Sequence, residues 1–145
     1  MSSASRWWIK FISAGIVAFL LLNLFCLFYN NYPTRTYLDN GPTDYKWKSD
    51  GKYSQGTEGF AWGKFDSNGY NNLCDYNKSD GIDVLLVGSS HLQAVHVMQD
   101  KNVGSLLNEK FKESGQGYHV YNIGIGGQDF LHCASNFNST MKEFP

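Results

Sequence analysis

Two glycine-containing turns bring together the residue types best suited to chemistry. The first is Val87-Gly88-Ser89-Ser90-His91-Leu92, and the second is Asn122-Ile123-Gly124-Ile125-Gly126-Gly127. A serine on such a turn can attack an acyl carbon once a base accepts its proton. Nearby backbone N–H groups then hold the oxyanion that forms. Three familiar glycine motifs do not fit. A nucleophile elbow, G-x-S-x-G, fails because Leu92 stands where the second glycine belongs. A dinucleotide fingerprint, G-x-G-x-x-G, fails because Asp129 follows Gly124 and Gly126 in the third place. A phosphate loop needs G-K-S/T, which the chain does not contain. The histidines read blandly. His91 adjoins Ser90, so their side chains diverge, and His96, His119 and His132 read as surface or strand residues. Asp129 follows the second turn and reads as a helix cap.

The elements that would position these turns are legible on either side of them. Residues 82–87 form a short β-branched apolar run that stops at Gly88, which suits a strand buried on both faces of a parallel sheet. Asp100 is placed to cap a helix over about 101–113, with Val103, Leu106, Leu107 and Phe111 on one stripe. Gly115 and Gly117 end it. A second strand over 118–123 runs into the second turn, and a last helix would carry Phe130, Ala134, Phe137 and Met141 on one face. The order is βαβα, and both turns fall at carboxyl ends of parallel strands, where open α/β sheets build their sites.

Within that frame the chain resembles the SGNH (GDSL-type) hydrolase and acyltransferase family, in its membrane-anchored branch. VLLVGSSHL is similar to the family's apolar strand running into Gly-Asp-Ser, and NIGIGG to its N-x-G-x-x-G block. DSNGYNN, at 66–72, resembles the branch's Asn-x-x-Gly-Phe lead-in, and SLLNEKF resembles the helix between the blocks. The resemblance covers about 66–137. It implies an α/β fold in which 81–145 form the first βαβα part of a flavodoxin-like three-layer domain. It also implies that Ser90 is the nucleophile and that Gly127 supplies an oxyanion-hole N–H. The chemistry agrees with that placement, since glycine at 127 lets the backbone approach a substrate closely. The implied function is hydrolysis or transfer of an acyl group, O-acetyl above all, on a carbohydrate or cell-envelope polymer. No metal or organic cofactor is implied.

The chain also departs from the family. Ser89 stands where Asp is commoner, although Gly-Ser-Ser occurs in surface-polymer acylation relatives such as the D-alanyl-transfer protein group. The third block, Gly-x-Asn-Asp, and the closing Asp-x-x-His that supplies the general base find no match in the 145 residues. On this reading the chain corresponds to the N-terminal part of such a protein and is inactive and poorly folded alone. The alternative is a non-catalytic envelope protein, degenerate or a scaffold partner of a membrane acyltransferase.

The N-terminal region reads as a membrane anchor. Residues 11–34 carry no charge, and the strongly apolar part, 11–29, would rise about 28 Å as a helix, close to the roughly 30 Å hydrocarbon core. Trp7 and Trp8 flank one edge, Tyr29 and Tyr32 the other. Arg6 and Lys10 precede the segment, which by the positive-inside rule leaves 1–10 in the cytoplasm and everything after the span outside. The bulky Leu24-Phe25-Cys26-Leu27-Phe28 speaks against a cleavage site. Residues 30–80 show no sustained period and read as a stalk or lead-in. The net charge of −1, from 12 basic and 13 acidic residues, gives no electrostatic reason to expect nucleic acid. Of the three cysteines, Cys74 and Cys133 could pair outside the span or stay free, while Cys26 lies within it.

Overall fold

The structure, a computed structural model, describes residues 2–37, 45–77 and 81–144, with the backbone alone over 136–139. Helix α1, Ser3–Tyr29, runs 27 residues and buries none of its side chains. An 18-residue stretch of it has a mean hydropathy of 2.5, and with the helix's length, about 40 Å, that suffices to cross a membrane. Ser2 caps it by accepting a hydrogen bond from the Ser5 N–H. Asn23, its one amide at depth, donates to the Phe19 carbonyl one turn back, so the polar group is satisfied within the helix.

The segment that reads as an irregular stalk is instead the most structured surprise of the chain. It contains β1 (Asn30–Asn31), β2 (Arg35–Tyr37), β3 (Tyr45–Trp47), β4 (Lys52–Gln55) and β5 (Ala61–Lys64). Strands β1, β4 and β5 form one antiparallel sheet, and β2 and β3 pair antiparallel in another. Each strand spans two to four residues, too short for an alternating pattern to show in the sequence. Aromatic side chains of these strands and of the loop after β5 make the core: Tyr45, Trp47, Tyr53, Phe65 and Tyr70 are buried together with Tyr121. Trp47 stacks on Phe65 at 5.3 Å and on Tyr32 at 5.1 Å. Such ring pairs add to the stabilisation from buried area.

Strands β6 (Ile82–Leu86) and β7 (Tyr118–Asn122) pair in parallel, with Val84 opposite Val120. The two are not equally covered. Val120 and Tyr121 are fully buried, whereas β6 is half-exposed, and Ile82 lies on the surface. The cover on β7 comes in part from 66–72, within the segment that reads as a stalk. Helix α2 (Ser90–Gln93) and a 3-10 turn (Gln99–Lys101) lead into α3 (Val103–Glu113). The cap of α3 is Asn102 rather than Asp100: its side chain accepts from the Ser105 N–H while its amide donates to the Asn71 carbonyl. The stripe Val103, Leu106, Leu107, Phe111 is only partly covered, and the buried residue on this helix is Gly104, set against Asn122. Helix α4 (Phe130–Glu143) starts at Asp129, which caps it as its position suggests. Its expected apolar face does not pack. Phe130, Ala134 and Met141 are exposed, and the Phe137 side chain lies outside the described residues. The end of α4 is held by the Lys46–Glu143 ion pair and by the residue after it: Phe144 is buried against Tyr70, Tyr76 and Tyr121.

Candidate functional site

Ser90 opens α2, one residue after the Ser89 N-cap, and its side chain is exposed. The turn is tight. Leu92 and Gln93 N–H groups both bond to the Ser89 carbonyl, and the Ala94 N–H bonds to the Ser90 carbonyl at 2.9 Å. Ala94 completes the turn with φ of 52°, a left-handed conformation that a non-glycine residue adopts at a cost of about 1 kcal/mol. Backbone strain of this kind collects at functional turns. The Ser89 side chain makes no capping hydrogen bond.

The second turn packs directly on the first. A Cβ at Gly124 would lie 2.6 Å from the Gln93 nitrogen, so only glycine permits this approach. A Cβ at Gly126 would stand 3.8 Å from the Cβ of Ser90, which places the two turns side by side. Gly127 has φ of 84° and open space around its Cα; here glycine answers a conformational need. Gly126 is held through both of its backbone polar groups. The Tyr45 hydroxyl donates to the Gly126 carbonyl at 2.9 Å, and the Gly126 N–H donates to Gln93 Oε1 at 3.1 Å. Because a trans peptide sets its N–H opposite its C=O, pinning the Gly126 carbonyl also aims the Gly127 N–H. Among the described residues no hydrogen bond engages that N–H.

Both turns are anchored by 66–72. Asp66, buried, accepts from the Asn68 and Tyr70 N–H groups through one carboxyl oxygen, and from Tyr121 (2.6 Å) and Asn72 (2.9 Å) through the other. Burial first, and the Asp66 bond second, push the Tyr121 hydroxyl pKa well up, so that it stays a donor. The Asn71 amide donates to the Gln93 carbonyl at 2.7 Å and accepts from the buried Tyr53 hydroxyl. Asn72 exchanges two hydrogen bonds with the Asn122 backbone, at 2.8 and 3.0 Å. The Asn122 side chain closes the circuit, accepting from Gly124 N–H and donating to the Leu92 carbonyl. Two neighbouring asparagines thus hold one turn each, and Asn122 links the two turns to each other.

Ser90 and Gly127 line one cavity of about 440 Å³ with Gly126, Gln93, Tyr32, Tyr45 and Trp47. The Arg35 guanidinium lies 4.4 Å from the Tyr45 ring centre and 5.2 Å from that of Trp47, within cation–π range. Burial raises the Tyr45 pKa, with Arg35 opposing it, and burial also raises that of Tyr32, with Glu58 adding to it. Glu58 and His96 complete the wall. His96 is therefore the histidine that shares the cavity with Ser90, whereas His119 lies on β7 and His132 on α4 beside Asp129. Among the described residues, Trp47 Nε1, Gln55 Oε1 and Gln93 Nε2 are buried polar atoms without a partner, and all three residues line this cavity. No group of His, Cys, Asp and Glu among the described residues could hold a metal, and Cys26, Cys74 and Cys133 are free thiols.

No family model, curated protein or solved structure matches this chain. The residues that sequence reasoning did not single out are Tyr45, Gln93 and Arg35. Tyr45 and Arg35 sit in the segment whose strands are too short to show a period. Gln93 lies close enough to Ser90 that its spacing, three residues on in a helical turn, was the available signal.

Proposed function

We propose that the chain belongs to a membrane-anchored ester hydrolase or O-acyltransferase of the SGNH type, with Ser90 as nucleophile and Gly127 as an oxyanion-hole donor. The observation that carries this reading is that Ser90 and Gly127, on turns after two neighbouring parallel strands, line one cavity. The Ser90 oxygen would attack the acyl carbon, and the carbonyl oxygen would take up negative charge facing the aimed Gly127 N–H. Collapse of that intermediate would expel the alcohol and leave the acyl group on Ser90, to pass to water or to a second hydroxyl. The Ser90 proton passes to a general base, a role that a histidine of an Asp-x-x-His block has in the family the chain resembles. The aromatic walls and the three unpartnered polar atoms suit a polyhydroxylated substrate, whose hydroxyls both donate and accept. In this reading α1 anchors the protein with its N-terminus in the cytoplasm and the cavity outside, on the cell envelope.

Hydrolysis of p-nitrophenyl acetate by the protein expressed from its genomic reading frame tests the assignment. Ser90→Ala abolishes the activity, a loss of several powers of ten, while Ser89→Ala leaves most of it. The reverse pattern would move the nucleophile to Ser89, and activity in both variants would refute the serine mechanism.

A further inference from the structure

On the side of the molecule next to α1 lies a second, apolar groove of about 380 Å³. Its walls come from Leu27 and Phe28 at the end of α1, from Lys52 and Ser54 on β4, and from Phe60 and Trp62 beside and on β5. Phe60 is 61% exposed and Trp62 56%, values equal to those of the membrane-facing Leu27 and Phe28, at 60% and 56%. The two rings meet edge to face at 5.6 Å, so they form one apolar ridge. We propose that this ridge, Phe60 and Trp62, inserts into the interfacial layer of the bilayer that α1 crosses, so that the β1–β4–β5 sheet lies against the membrane surface.

Continuity and depth carry the argument. Exposed apolar side chains of α1 and of the ridge line the same groove, so the two belong to one face of the molecule. Leu27 and Phe28 fall in the last turn of the apolar stretch, whose length matches the hydrocarbon core. Whatever borders them lies at the boundary between acyl chains and headgroups, the layer where Trp concentrates. The ridge is also fixed to the helix. Ser54 Oγ donates to the Leu27 carbonyl at 3.0 Å, and Gly56 packs so close to Tyr29 that a Cβ would lie 2.7 Å from its carbonyl oxygen. Strand β1 follows α1 with no linker and pairs with β4, which pairs with β5. Lys52, on the rim, has no carboxylate partner among the described residues and would meet lipid phosphates. Because β4 also gives Gln55 to the Ser90 cavity, this docking holds that cavity close to the bilayer. The inference rests on α1 being a membrane span; it does not depend on the chemistry of Ser90.

The test places a nitroxide label, one at a time, at Phe60→Cys, Trp62→Cys, Phe25→Cys and Tyr118→Cys. The background carries Cys26→Ser, Cys74→Ser and Cys133→Ser, and the full chain is reconstituted in nanodiscs containing anionic lipid. Relaxation by oxygen, which concentrates in lipid, is compared with relaxation by a water-soluble nickel chelate. Labels at 60 and 62 should show an oxygen-to-nickel ratio several-fold above that at 118 and approaching that at 25. Adding Phe60→Asp to the Trp62→Cys protein should return the ratio at 62 toward the value at 118. Aqueous ratios at 60 and 62 with a lipid ratio at 25 overturn the proposal and leave the anchor standing. An aqueous ratio at 25 removes the anchor, and the proposal with it.

Discussion

At the level of single residues, oxyanion stabilisation depends on what aims the Gly127 N–H. Tyr45 does so through one hydrogen bond to the Gly126 carbonyl, while its ring packs in the aromatic core. Tyr45→Phe keeps the ring and removes the bond, so it separates aiming from packing. We expect kcat to fall about tenfold, equivalent to about 1.4 kcal/mol of transition-state stabilisation, with KM little changed. Steady-state kinetics on an acetyl ester would read this, and an unchanged kcat would mean that the peptide is held without Tyr45. Asn122 is the complementary case, because its buried side chain joins the two turns. Asn122→Ala leaves the Leu92 carbonyl and Gly124 N–H unpaired and should cost about 2 kcal/mol of stability. Activity should fall further than stability alone accounts for, as misplaced reacting groups lose rate steeply. Thermal unfolding and kinetics measured on the same preparation separate the two effects.

At the scale of elements, the caps give the cleanest expectations. Asn102 both caps α3 and binds the Asn71 carbonyl, so Asn102→Ala should cost about 2 kcal/mol. The loss should appear as faster amide exchange in the first turn of α3. Asp129, which caps α4, has its pKa held below the usual carboxylate range, chiefly by the backbone N–H of His132. A carboxyl with a lowered folded pKa contributes its full stabilisation above its unfolded value, near 3.8, and loses it as pH falls through the lower folded value. Exchange at the start of α4 should therefore quicken only in strong acid, and Asp129→Asn, which still caps, should remove that dependence. The two parallel strands, their glycine turns and the Asp129 cap were legible because continuous apolar runs and cap residues are local signals. Strands β1 to β5 were not, because two to four residues cannot display a period and their burial depends on partners far along the chain. The stripe on α4 misled for a related reason, whereas that on α3 is covered in part, Phe111 meeting Tyr118 at 5.0 Å. Periodicity marks a face that can be buried, and whether a partner covers it is a tertiary matter; Phe144, outside the pattern, is the residue that anchors α4. The DSNGYNN stretch was noticed only by resemblance, and its work in tying both turns together appears only in three dimensions.

At the scale of the whole molecule, a helix able to span a membrane continues without a linker into a sheet that shares strand β4 with the Ser90 cavity. Under the proposal that Arg6 and Lys10, near the start of α1, stay in the cytoplasm, the cavity lies outside it. A C-terminal alkaline phosphatase fusion should accordingly be active, and an inactive phosphatase with an active cytoplasmic reporter at the same site would reverse the orientation. The aromatic core built by 45–77 also changes the expectation for the chain by itself. With Tyr121 and Val120 covered and the turns tied by hydrogen bonds, the 145 residues in nanodiscs should unfold in one cooperative transition. A broad, non-cooperative loss of signal on heating would show that this core does not hold the sheet. The central claim, that Ser90 is the nucleophile, is tested most directly by treating membranes bearing the protein from its genomic reading frame with a fluorophosphonate and mapping the adduct by tandem mass spectrometry. One phosphonylated residue is expected, Ser90, with the adduct lost in Ser90→Ala and retained in Ser89→Ala; an adduct on Ser89, or none on this peptide in an active preparation, would refute the assignment.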